Sequence, residues 1–156
     1  MTLIEEINAD LKTAMLARDE FTTTTLRGLK SAILYEEVAK SKRDTGLADA
    51  EIEEVVAKEM KKRDDAMKIY VSAGDNERAD KEDHEAKILQ KYLPKQLSRE
   101  EEKELITQVI AENNFTNKDF GRIIGEVKKR AGNATTGERI SNILKQEFFK
   151  SEEGQR

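Results

Sequence analysis

A single proline divides this chain. Pro94 is the only one in 156 residues, and it stands inside Lys91-Tyr92-Leu93-Pro94-Lys95-Gln96-Leu97-Ser98. Proline fixes φ, donates no backbone hydrogen bond and biases its predecessor away from the helical region. A helix arriving from the N-terminal side must therefore stop near Tyr92. Ser98-Arg99-Glu100-Glu101 fits a capping box and should start another helix. Tyr92, Leu93 and Leu97 are apolar enough to pack at the junction, and the stretch lacks the Gly, Ser and further Pro of a flexible linker. The expectation is a packed hinge between an N-terminal helical domain over 1–93 and a C-terminal domain over 98–150.

The flanking sequence reads as helix throughout. Charged residues make up 38% of the chain and aromatics 5%, a balance that suits helices with wide solvated faces. Thr2 to Glu5 forms a capping box before Ile4, Ile7, Leu11 and Met15 at helical spacing. After a break at Arg18-Asp19-Glu20, Leu26, Leu29, Ile33, Leu34 and Val38 supply a second stripe. Thr22 to Thr25 are poor helix formers, so packing must hold that helix start. A third helix is expected from about Asp49 towards Ser72, with Ile52, Val56, Met60, Met67, Tyr70 and Val71 along its seam and Arg63 paired with Glu59 one turn away. Gly74 and Asp75 mark a stop and a new cap, and Ala79, Ala86, Leu89 and Leu93 line a fourth helix. Beyond Pro94, three stripes follow: Leu105, Ile106, Val109 and Ile110; Phe120, Ile123, Ile124 and Val127; Ile140, Ile143, Leu144 and Phe148. Thr116 to Asp119 and Thr135 to Glu138 supply caps, and Ser151 onwards is expected to fray. No strand pattern appears. The fold class is all-α: a bundle of about four helices, then a three-helix domain.

Several functions lack their chemistry here. Without cysteine there is no disulfide, thiolate nucleophile or Cys-based zinc site, which is compatible with a reducing cytoplasm, the expected location. No stretch approaches the roughly 20 apolar residues of a membrane span. There is no phosphate-binding Gly-rich loop and no nucleophile elbow. His84 is the sole histidine; Asp80, four residues earlier, would give two metal ligands at most, so His84 reads as solvated. Asp64-Asp65 and Glu100-Glu101-Glu102 read as solvated faces and helix N-terminal charge. Arg27 and Lys30, one turn apart, suit an anion or Glu59, and pairing is the favoured reading. No catalytic residue, metal site or cofactor is assigned.

Charge is more informative. The net charge is −4, yet Lys118 to Lys150 carries eight Lys/Arg against four acids, so the remainder is strongly acidic. Within the basic segment lies Gly121-Arg122-Ile123-Ile124-Gly125-Glu126-Val127-Lys128-Lys129-Arg130. Each helical glycine costs about 1 kcal/mol relative to alanine, and two spaced by four leave a smooth strip. Either a neighbouring helix or a nucleic-acid backbone should approach it. Lys128, Lys129 and Arg130 follow one to two turns on, with Arg122 beside the strip and Arg139 just inside the last helix. Cations with a helix N-terminus suit phosphate. No aromatic is interleaved among them, so shape recognition of folded RNA fits better than base stacking.

These residues resemble the YqeY-like family. The resemblance rests on Arg63, Tyr70, Ala73-Gly74, Arg78, Lys81-Glu82, Glu85, Ile88-Leu89 and above all Tyr92 to Leu97. It extends to Leu26 through Ile33, and to Gly121, Gly125, Lys128 and Gly132. The family is similar to the tail of the B subunit of tRNA-dependent amidotransferases, which convert mischarged Glu-tRNA or Asp-tRNA to the amide form. The resemblance implies the helical arrangement above and a link to tRNA. It also implies a carbon–nitrogen ligase label with glutamine as amide donor, for which the residues show no nucleotide or metal site. Ala48 departs from the family's pattern where a capping Ser is usual, leaving Asp49 as the fallback cap. Three readings stay open: an RNA-binding accessory using Arg122, Lys128, Lys129, Arg130 and Arg139; a module docking on an amidotransferase or aminoacyl-tRNA synthetase through Gly121 and Gly125; and an amidotransferase-like enzyme.

Overall fold

A computed structural model describes residues 1–150. Among them are seven α-helices and no strand. The chain forms two compact units, Met1–Pro94 and Lys95 onwards, each with its own apolar core. The expectation that the chain frays from Ser151 lies outside the described residues.

The first unit contains α1 (Leu3–Leu16), α2 (Glu20–Ala39), α3 (Asp49–Ser72) and α4 (Asn76–Gln90). Thr2 Oγ1 accepts from Glu5 N–H, and Glu5 Oε2 accepts from Thr2 N–H, closing the capping box at the start of α1. The chain leaves α1 through Arg18 in the left-handed region, φ +56°. Asp19 Oδ1 then accepts from Thr22 N–H and opens α2. The threonines are held by burial, as their weak propensity requires: Thr23 and Thr25 are buried, and Thr25 Oγ1 donates to Phe21 O. Gly74, at φ +75°, ends α3, and Asp75 caps α4.

Ile7, Leu26, Leu29, Ile52, Val56 and Leu89 are fully buried together. Some expected members are absent from this core. Leu34, Val38 and Val71 are 42%, 56% and 57% exposed, because helical spacing identifies a stripe without showing where the neighbouring helices stop covering it. Asp49 is also not the cap of its own helix. Glu51 Oε2 takes the Ala48 N–H instead, while Asp49 Oδ1 accepts from Leu3 N–H at the head of α1. Arg63 pairs with Glu59 as the spacing implies, and its Nε also donates to Glu85 Oε2 at 3.1 Å, tying α3 to α4. Burial alone would raise the Glu59 carboxyl, but bonds from Lys62 and Arg63 outweigh it and lower its pKa. Arg27 and Lys30 have no part in that network, because Glu59 is already occupied by Lys62 and Arg63. His84 is exposed with its ring stacked on Phe21, centroids 4.2 Å apart.

Glu51 is the most perturbed carboxylate of this unit. Hydrogen bonds from Lys42 and from the Ala48 amide hold its pKa at about 2, against an ordinary 4.5. A depressed folded pKa contributes stability that is present above the unfolded value and lost as pH falls through the folded one. Acidification from about 4.5 to about 2 should therefore weaken the start of α3. Glu51→Gln should flatten the acid limb of a pH-dependent thermal-melt series; an unchanged limb would show the bond to be inconsequential.

The junction is packed on the first unit's side. Tyr92 is buried, its hydroxyl donates to Asp10 Oδ2 at 2.6 Å, and Lys91 Nζ reaches the same oxygen at 2.7 Å. Burial and the Asp10 carboxylate both push the phenol's pKa upward.

The second unit contains α5 (Arg99–Asn113), α6 (Phe120–Ala131) and α7 (Gly137–Ile143), which runs on as a π-helical turn over Leu144–Phe148. Ser98 caps α5 reciprocally with Glu101. Asn114, at φ +53°, ends it, and a 3-10 turn at Asn117–Asp119 leads into α6. Ile106, Val109, Ile123, Val127, Ile140, Ile143 and Leu144 form the core. The segment before α5 is strapped across the α6–α7 turn: Leu97 N–H donates to Ala134 O, and Gln96 Nε2 to Asn133 O.

Candidate nucleic-acid interface

The α6 helix separates its faces cleanly. Ile123 and Val127 are fully buried, while Gly121, Arg122, Gly125, Lys129 and Arg130 are exposed. A Cβ added at Gly121 or Gly125 would meet nothing within 4 Å. Among the described residues no neighbouring helix uses the strip, and packing among them does not explain the glycines.

The five cations near it are in different situations. Arg122 is 78% exposed at its side chain, and its one ion pair among the described residues is with Asp119, at 3.8 Å. Lys129 is exposed and makes no ion pair among the described residues. Lys128 folds back along the helix end, where its Nζ donates to Gly132 O at 2.7 Å and Thr135 O at 2.9 Å; it closes the α6–α7 turn. Arg130 Nη2 meets Glu112 at 2.6 Å and its Nε meets Glu126 at 3.4 Å, contacts that raise the pKa of its guanidinium. Arg139 Nη2 meets Glu102 Oε1 at 2.6 Å and donates to Leu97 O at 2.8 Å. The open surface is thus Gly121, Arg122, Gly125 and Lys129, with Arg130 half-exposed at its edge. Lys128 and Arg139 hold the scaffold beneath.

Glu102 is the residue that sequence reasoning missed. Expected on a solvated acidic face, it is 1% exposed. Its Oε1 accepts from Thr135 Oγ1 at 3.0 Å as well as pairing with Arg139. A buried carboxylate needs such partners. The available signal was its position four residues before Ile106, on the apolar side of α5, where Glu100 and Glu101 do not point. Among the described residues no group of three or more His, Cys, Asp or Glu is placed to hold a metal ion, and none of the helices is long and apolar enough to cross a membrane.

The fold and this surface define an all-helical protein with a basic, glycine-smoothed face. The chain belongs to the YqeY-like protein family, whose model matches residues 4–148. It is 34% identical over 112 residues to altered inheritance of mitochondria protein 41, mitochondrial, of Kluyveromyces lactis, covering 70% of this chain and 59% of that one. The protein of the same name from Vanderwaltozyma polyspora is 32% identical over 87 residues, 56% of this chain and 46% of that one. That from Clavispora lusitaniae is 29% identical over 130 residues, 80% and 74%. The chain spans 59% and 46% of the first two relatives' length.

Proposed function

We propose that this protein is an RNA-binding accessory that takes a folded RNA such as tRNA on the exposed α6 face, in the cytoplasm and close to translation. The observation that carries the reading is the open Gly121/Gly125 strip flanked by Arg122 and Lys129. Two glycines that weaken a helix, with none of the described residues packed on them, make room for a backbone from outside. The adjacent cations favour a polyanion, and Arg130 supplies a third charge when its acidic partners exchange for phosphate. The mitochondrial designation belongs to the relatives' names.

Two measurements test it. Arg122→Glu with Lys129→Glu should weaken tRNA retention in a filter assay roughly tenfold or more at low salt, and reduce the slope of log affinity against log salt. Unchanged tRNA mobility at low salt and high protein would sink the reading. Stability and binding should also move in opposite directions. Gly125→Ala fits an open helical site and should stabilise the second unit by about 1 kcal/mol, while reducing retention by holding the ligand backbone off.

The same open strip supports a second reading, a docking face for a helix of an amidotransferase or aminoacyl-tRNA synthetase. Gly125→Leu would then abolish complex formation while leaving salt-sensitive RNA retention intact. The ligase label rests on family resemblance alone; glutamine- and ATP-dependent turnover by the purified chain would be its test.

A further inference from the structure

Arg130 stands in the last turn of α6, and its guanidinium is shared between acids of two helices. Glu112 of α5 meets it at 2.6 Å and Glu126 of its own helix at 3.4 Å. At about 3.6 residues per turn, Glu126 falls between Arg130 and the edge formed by Arg122 and Lys129. The shorter contact draws Arg130 towards α5, away from Gly121 and Gly125. The fold makes little use of Glu112. Its side chain is 58% exposed, and among the described residues its carboxylate meets only Arg130. Asp119, the acid beside Arg122, differs: it accepts from the Thr116 amide and closes the turn into α6. The α5–α6 contact is already made by Ile106, Val109, Ile123 and Val127, all fully buried, and an exposed ion pair adds little to such a core. Glu112 also sits in the last turn of α5, which holds no basic residue and where the helix dipole disfavours an acid.

We infer that Glu112 is an autoinhibitory contact: it occupies Arg130 as an internal stand-in for phosphate and holds that cation back until an RNA backbone competes for it. The inference rests on the reading of α6 as an RNA-binding face and names how that face is regulated. A carboxylate and a phosphate offer a guanidinium the same charge-assisted acceptor, so Arg130 is satisfied before and after the exchange. Glu112, already largely in water, loses little when released. Arg122 and Lys129 are the entry contacts, open from the start. A polyanion that reaches only these two still faces the charges of Glu112 and Glu126. One whose backbone continues to Arg130 displaces them and gains a further phosphate contact. The acid thus lowers affinity for all polyanions and penalises most those too short to reach Arg130, a repulsive element that sharpens selectivity.

The test measures tRNA retention across a salt series for the full chain, Glu112→Gln, Arg130→Gln and the double variant. Glu112→Gln should bind roughly three- to tenfold more tightly at low salt, with the slope of log affinity against log salt steeper by about 1. In the Arg130→Gln background the same change should gain less than about twofold, since no cation is left to release. Glu104→Gln removes an equal charge from an exposed position on α5 and should also gain less than about twofold, which separates release of Arg130 from a general loss of negative charge. The melting temperature of Glu112→Gln should stay within about 2 °C of the wild type. Retention by the wild type with no gain in Glu112→Gln would overturn this inference and leave the α6 reading standing. So would a gain that persists without Arg130 or is matched by Glu104→Gln. A fall in melting temperature of about 5 °C or more would make the pair a structural tie and overturn it as well. Absence of retention by both the wild type and Glu112→Gln would sink the α6 reading and this inference together.

Discussion

Arg139→Ala should destabilise the second unit by about 3 kcal/mol, and more than removing Arg139 and Glu102 together. Glu102 is buried, with Arg139 as its one cationic partner among the described residues and Thr135 as its hydroxyl donor. Deleting the arginine leaves a carboxylate out of water with one neutral donor, and breaking a buried pair from one side typically costs about 3–5 kcal/mol. The lower end applies because the Arg139 side chain is 39% exposed, so water partly compensates the site. Arg139 also donates to Leu97 O, so the strap before α5 should loosen with it. Arg139→Met with Glu102→Leu should recover much of the loss, since two apolar side chains leave no orphaned charge. Urea midpoints at constant m report this directly. If Arg139→Ala is neutral in stability but weakens RNA retention, the residue serves the surface after all.

Leu89→Ala should have the second large effect, about 2–5 kcal/mol. Most of α4 is charged, and Leu89 is its one large side chain that is fully buried. The other ties of α4 to its neighbours are smaller: the buried Ala79, the partly buried Ile88, the His84–Phe21 stack and the Arg63–Glu85 pair, with the Tyr92–Asp10 bond beyond its end. A cavity at Leu89 therefore removes the main apolar anchor of the helix. Leu34→Ala is the matched control: the same chemistry at a 42% exposed position should cost less than about 1 kcal/mol. Equal costs would mean that the α2 face is covered in solution.

Much of the helical plan was legible from local rules. Thr2, Asp75, Ser98 and Thr136 cap helices where the sequence puts side-chain oxygens before apolar stripes, and Gly74 ends one at positive φ. These signals act within a turn or two of chain. What stayed hidden depends on neighbours distant in sequence. Leu34 and Val38 belong to a correct stripe, but the neighbouring helices leave them 42% and 56% exposed. Arg27 and Lys30 lost their expected partner because Lys62 and Arg63 reach Glu59 from its own helix. Glu102 looked like one acid in a row of three, and only the arrival of Thr135, 33 residues on, and of Arg139 makes a buried site. The glycine strip could be read as special, but spacing alone could not say whether this chain or another molecule fills it. The structure leaves it open.

One contact bears on the order in which the protein is assembled. The head of α1 is completed by Asp49, whose carboxylate takes the Leu3 amide from 46 residues away. During synthesis the first helix emerges long before that carboxylate, with only its own Thr2 and Glu5 to hold its leading turn. Its full closure must wait until the start of α3 has been made and brought back, so the leading turn of α1, although made before α3, should be among the last to gain protection from hydrogen exchange.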